Sequence, residues 1–163
     1  MLRRLIAGVA AAALSTAAPV FAADLLPEGE AALDHISCRG GANEIRVTVS
    51  NVKKNVGLIV ADLYPNREEG FLHSAGRVKQ VRFAARSPVT SFCLYAPTPG
   101  QYAVSIYHDR NANRNFDKSA FGMPAEPYGV SNNPPMRFAA PAVTEAVFDV
   151  GAAAAAIKIA LRG

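Results

Sequence analysis

Tryptophan is absent from this 163-residue chain, and cysteine, methionine and histidine number only two, three and three. Without Trp, the packing of a buried indole on an inter-sheet disulfide that marks antibody domains is excluded. The sequence contains no G-x-S-x-G, H-E-x-x-H, C-x-x-C or phosphate-cradling glycine loop. The corresponding serine-nucleophile, zinc-hydrolase, dithiol and nucleotide-binding arrangements therefore have no foothold. No amphipathic helical period is sustained, and His35 and His73 stand alone in linker or loop sequence, as surface residues do.

What is present begins with an export signal. Arg3 and Arg4 precede an apolar stretch from Leu5 to about Ala18, and Val20-Phe21-Ala22 ends it in small residues, so residues 1–22 read as a signal peptide cleaved near Ala22. The stretch is short and interrupted by Ser15, Thr16 and Pro19, which argues against stable membrane insertion after cleavage. Ala23, and not Cys, stands directly after the cleavage site, so the expectation is a soluble periplasmic or secreted protein without a lipid anchor. Losing Arg3 and Arg4 takes the formal charge from +4 to +2, too near neutral for a nucleic-acid partner. The basic cluster Arg77, Lys79, Arg82 and Arg86 reads as a solvated strand face. In an exported chain Cys38 and Cys93 are expected to form a disulfide, worth up to about 4 kcal/mol on the chain-entropy model. Phe92 and Leu94 alternate with Cys93, which puts the bridge outside the main core or at an edge.

Residues 23–41 read as an N-terminal linker and first edge segment, and residues 42–163 as one domain. Ile45, Val47 and Val49 alternate with polar residues as in a half-buried strand. Val56 to Tyr64 is apolar on both faces near its centre, as in a central strand, and the two are expected to pair as a hairpin. Further strands are expected over 78–85, 89–95 and 101–107, then around Ala146, Phe148 and Val150, and around Ile157, Ile159 and Leu161, the last two as a hairpin. Tyr102 follows a Pro-Gly corner, where its hydroxyl would either fasten the turn or sit as an ordinary core group. The sum is an all-β class: a single antiparallel, immunoglobulin-like β-sandwich of about seven strands, with one long ordered loop.

That loop carries the sharpest chemistry. Asp109, Asn111, Asn113, Asn115 and Asp117 place oxygen donors at every second position, the pattern of the first, third, fifth, seventh and ninth places of an EF-hand calcium loop. Arg114 stands where that loop uses Gly, and Ala120 where it uses a bidentate Glu, so Glu126 is the nearest carboxylate to complete a calcium site. The same residues also suit a solvated turn, since Asn and Asp hydrogen-bond their own backbone.

Gly100, Tyr102, Ala103 and Val104, then His108, Asp109, Asn111 and Asn113, then Phe121, Gly122, Pro124, Glu126, Tyr128, Gly129, Ser131, Asn132 and Asn133 form a recurring pattern. It resembles the secreted bacterial family catalogued as domain of unknown function 2141. The resemblance implies a location and a fold type but no activity.

Function is expected to be non-enzymatic binding. Phe121 and Tyr128 supply aromatic faces and Asn132 and Asn133 supply amides, a combination that suits an envelope protein or glycan partner. The alternative is a carboxylate-dependent hydrolase of envelope glycans using Asp109, Asp117 and Glu126. His108 as a general base is disfavoured, because adjacent strand residues such as His108 and Asp109 point to opposite faces.

Overall fold

The structure, a computed structural model, describes residues 38–135 and 139–163. The expected signal peptide, most of the linker, and His35 lie outside the described residues. Eight strands form two sheets: β1 (Glu44–Ser50), β2 (Leu58–Pro65), β3 (Lys79–Ala84), β4 (Val89–Tyr95), β5 (Gly100–Asp109), β6 (Tyr128–Val130), β7 (Phe148–Val150) and β8 (Ala155–Ala160). One sheet runs β4-β1-β8 and the other β3-β2-β5-β6, with β7 added on β5. The all-β sandwich is as the alternation requires.

The core lies between the sheets because each alternating strand turns its apolar set inward. Ile45, Val47 and Val49 of β1 meet Ile59, Leu63, Val104 and Ile106 of β2 and β5, all at most 1% exposed. Each such side chain contributes about 1.5–3 kcal/mol by leaving water. Phe83 and Phe92 stack across the two sheets with centroids 4.1 Å apart.

Several pairings differ from expectation. β1 and β2 do not form a hairpin: the 51–57 connection crosses from one sheet to the other, and β1 pairs with β4 and with β8. The β1–β8 pair is parallel, from Ile45↔Ala155 to Ser50↔Ala160, so the sandwich is not purely antiparallel. β7 and β8 likewise separate, β7 joining β5 while β8 crosses to β1. Ala146 ends a single helical turn, α1 (Val143–Ala146), rather than opening a strand. Glu145 reaches back to the Ala142 N–H at 3.1 Å and stabilises this turn. The long ordered loop expected after β5 is interrupted by a strand, β6, whose three residues pair with Ser105 to Tyr107.

β2, buried along nearly its whole length, is central as expected. β3 is an edge strand, and its basic residues are partly solvated. Arg77 just before it pairs with Asp62 at 3.5 Å, and burial raises the Asp62 pKa. Tyr102 does both things considered for it: its ring is buried and its hydroxyl donates to the Thr98 carbonyl, four residues back, at 3.0 Å.

The disulfide Cys38–Cys93 is formed and anchors the chain start to edge strand β4, on the side of that sheet away from the core. Beside it Glu44 is fully buried and accepts from Arg46 Nε at 2.9 Å, from the N–H groups of Arg39 and Gly40, and from the Tyr95 hydroxyl. The Arg46 bond first, then those N–H and hydroxyl donors, hold the Glu44 carboxyl down at about 2 against the cost of burial. Its stabilising effect is therefore complete above the unfolded glutamate value of about 4.3 and disappears as pH falls toward the folded value. In thermal melts from neutral pH downward, the advantage of the parent over Glu44→Gln is expected to be constant at higher pH and to vanish within that acidic window. An advantage that persists to the acid end would show that Glu44 does not act through its charge.

Candidate functional site

The loop leaving β5 begins at a crowded point. Asp109 pairs with Leu58, and Gly57 lies so close that a Cβ there would sit 2.0 Å from the Asp109 carbonyl oxygen. Gly57 also has φ +72°, so only glycine satisfies both the conformation and the approach. Asp109 is consequently fully buried, and its carboxylate turns to the loop's own backbone. It accepts the N–H of Asn113 at 3.2 Å and of Arg114 at 2.8 Å.

Arg114 adopts φ +68°, the left-handed turn that glycine supplies in calcium loops. A non-glycine residue there costs roughly 1–2 kcal/mol, which the two Asp109 bonds offset. Asn111 and Asn113 accept the N–H groups of Asn113 and Asn115 through their side-chain oxygens, at 3.1 and 2.8 Å. Their amide nitrogens converge on Asp117, Asn111 at 2.8 Å and Asn113 at 3.0 Å to each carboxylate oxygen. These donors, Asn113 foremost, hold the Asp117 carboxyl below its usual range. Asn115 is exposed, and its side-chain amide donates back to the Asn113 carbonyl at 3.2 Å.

Glu126 straps the loop closed. It is buried, and its two oxygens accept the Arg110 N–H at 3.1 Å and the Asp117 N–H at 3.2 Å. Burial raises its pKa against the pull of those donors, and the negative charges of Asp109 and Asp117 add to the rise. Between Asp117 and Glu126 the chain makes a tight turn: Lys118 bridges to Pro124, Ser119 N–H donates to Met123 at 2.8 Å, and Gly122 N–H to Ser119 at 2.9 Å. Phe121, at the tip, is 94% exposed and Met123 66%. Phe116 packs inward instead, its centroid 5.2 Å from Tyr107 and 6.1 Å from Tyr128.

Beside the loop lies a shallow depression of about 360 Å³, lined by Lys54, Val56, Arg110, Asn111, Asp117 and Glu126. Lys54 and Arg110 were not legible as site residues, because 55 positions of sequence separate them from each other in all but space. Asp109, Asp117 and Glu126 are neighbours through backbone contacts but do not converge. Among the described residues, the group of three acidic, Cys or His side chains with ligand atoms within 4.8 Å of one another is Cys38, Glu44 and Cys93, whose sulfurs are already bonded to each other.

His108 faces the interior and donates from Nε2 to the Val56 carbonyl at 2.7 Å, a structural tie between the segment entering β2 and the end of β5. The expected ligand surface is divided. Phe121 is presented to solvent and Tyr128 is half-buried against Phe116. The amides of Asn132 and Asn133 are spent within the fold, on the Val147 carbonyl at 2.8 Å and on Lys158 and Ala160 of β8 at 2.8 Å each. Ser131 before them bonds Val104 N–H and the Ala146 carbonyl and locks α1 to β5.

Asp109→Asn exchanges one acceptor for a donor facing buried N–H groups. It is expected to lower unfolding stability by about 1–3 kcal/mol in denaturant titration. Asn115→Ser, on the exposed side of the same loop, is expected to change it by less than about 0.5 kcal/mol. Equal effects from the two would mean that the Asp109 bonds do not hold the loop.

No helix among the described residues is long and apolar enough to cross a membrane. No curated protein and no solved structure matches the chain. Residues 47–158, from the middle of β1 to within β8 and with the whole Asp109–Glu126 loop inside them, match the family described as uncharacterized protein conserved in bacteria, DUF2141. The chain belongs to that family.

Proposed function

We propose that the protein is an exported, non-enzymatic binding module whose Asp109–Glu126 loop presents a recognition surface to an envelope protein or glycan. The observation that carries this reading is the use of the two buried loop carboxylates. Asp109 and Glu126 each accept two main-chain N–H groups, which makes the loop rigid and leaves both carboxylates occupied with holding it. A preorganised loop loses little entropy on binding, which is what a recognition element requires. Export is supported by the arginine-led apolar start of the chain and by the formed disulfide. Screening the purified protein against envelope glycans and envelope proteins tests the reading; a set of partners whose binding ignores changes in the 109–126 loop would overturn it.

A calcium reading is supported by the left-handed turn at Arg114, and it requires the Asn111 and Asn113 amides to exchange their nitrogen and oxygen ends, which turns oxygens toward Asp117 and gives up the bonds accepted from the Asn113 and Asn115 N–H groups. Ala120 supplies no bidentate clamp, which sets affinity in the roughly 10⁻⁴ to 10⁻³ M range of extracellular modules. Millimolar calcium, about one to ten times that dissociation constant, is expected to raise the melting midpoint over chelator by about 0.4–1.4 kcal/mol of stability, and Asp117→Asn to abolish the rise. An unchanged midpoint in the parent protein would remove the ion and leave a self-satisfied turn.

One observation favours the hydrolase reading. Glu126 is shifted up and Asp117 down while both line the same depression, and carboxyls pushed apart in this way are how acid and base roles are divided. Product release from envelope glycans that is lost in Glu126→Gln, with the fold intact by circular dichroism, would establish it; no release by the parent protein retires it.

A further inference from the structure

The sheet registers place one set of loops together. β1, β3, β5 and β8 end where β2 and β4 begin, as the pairs Ser50↔Val89, Ser50↔Ala160, Leu58↔Ala84 and Leu58↔Asp109 show. The 51–57 and 85–88 connections cross between the two sheets at this end, and the Ser87 N–H donates to the Asn55 side chain to hold them together. Its segments, 51–57, 85–88, 109–127 and 161–163, carry seven basic side chains against three acidic ones. Two of those acids, Asp109 and Glu126, are buried and turned to the backbone, and the third, Asp117, is occupied by asparagine amides. The outward field of this end is therefore positive.

From the same end project the most exposed large apolar side chains among the described residues. Phe121 and Met123 stand at 94% and 66% exposure on a turn that backbone hydrogen bonds hold in place, and Val56 at 49% lies on the adjoining loop. Lys118 opens the turn, Arg110 Nη2 fastens its far side through the Ala125 carbonyl at 2.9 Å, and Lys54 lines the depression beside it. An aromatic and a thioether held out on a rigid tip, ringed by exposed cations, match the two layers of an anionic bilayer interface. The apolar pair suits the acyl boundary and the cations suit the headgroup charge.

We propose that this end of the sandwich docks peripherally on anionic phospholipid, with Phe121 and Met123 entering the interface and Lys54, Arg110 and Lys118 meeting headgroups. The inference deepens the recognition-loop reading by naming a partner class for the same loop, and it does not require the ion. A protein partner fits less well, because a tip of two residues offers little area for a stable protein interface.

The absence of Trp makes a clean test available, since Phe121→Trp creates the sole indole in the chain. Its emission is expected to shift to the blue on adding phosphatidylglycerol-containing vesicles in chelator, and not on adding pure phosphatidylcholine vesicles. In the otherwise native chain, co-sedimentation with the anionic vesicles is expected to weaken about fivefold in Lys118→Gln and to fall further in Phe121→Ser with Met123→Ser. A matched melting curve for each variant separates lost docking from lost fold. No shift and no sedimentation overturns the proposal and leaves the recognition-loop reading with a protein or glycan partner. Sedimentation with a silent indole places docking elsewhere and overturns it too, and equal response to both lipids overturns the role of charge. Calcium is then added as a separate arm, so that a failure of the ion site does not count against lipid docking.

Discussion

The pairing of β2 with β5 runs unbroken from Leu58↔Asp109 to Pro65↔Tyr102, and both strands are buried on both faces over most of that length. It determines where the irregular parts of the chain start. At one end of β5 the Tyr102 hydroxyl fixes the turn that enters the strand; at the other Gly57 lets the backbone of Asp109 come within van der Waals contact. Because Asp109 is delivered to a dry position by this pairing, its carboxylate has to be satisfied locally, and the nearest donors are the N–H groups of the turn that follows. The loop's shape is thus a consequence of strand register.

The same solution recurs at three places. Glu44 accepts the N–H groups of Arg39 and Gly40, Asp109 those of Asn113 and Arg114, and Glu126 those of Arg110 and Asp117. Each is a buried carboxylate stitched to non-repetitive backbone that has no ladder partner of its own. A charge in such a position is tolerated because the N–H donors replace lost water, and the irregular backbone gains acceptors it would otherwise lack. The pKa directions follow the balance of the two effects: Glu44, with an arginine and a tyrosine added, goes down, while Glu126 goes up, through burial first and two nearby carboxylates after it.

The sequence was informative where a period was long enough to read. β2 was legible as central because its residues are apolar on both sides, and β5 because Tyr102, Val104 and Ile106 alternate cleanly. Alternation reports which face is buried and says nothing about which strand lies alongside, so the β1–β2 and β7–β8 hairpins were expected where crossovers occur. β6 and α1, with three and four residues, are shorter than any period and arise from tertiary contacts: the close approach of Gly129 to Ala160, and Ser131 bonding across to Ala146. In the site, the turn-forming Asp and Asn residues were legible from their spacing. Glu126 was picked as the nearest carboxylate, but its place on main-chain N–H groups depends on a fold that returns the chain to Arg110. Lys54 joins the site because β2 and β5 are neighbours, whereas Arg110 stands beside Asp109 in the loop itself.

The contrast between the two faces of the loop has a physical origin that bears on function. The side chains of Asp109, Asn111, Asn113 and Asp117 bond to one another or to N–H groups of the loop, polar group against polar group, so this side gives the surroundings few unmet bonds to compete for. The turn from Lys118 to Pro124 is the reverse: its backbone is satisfied, yet its large side chains have no packing partner. Burying Phe121 elsewhere in the fold would be worth about 1.5–3 kcal/mol. The bridge between Lys118 and Pro124 and the bonds inside the turn instead hold it away. Two buried carboxylates keep the supporting loop in place behind it, so on the docking proposal the tip, more than the polar ring behind it, is the part that meets the partner.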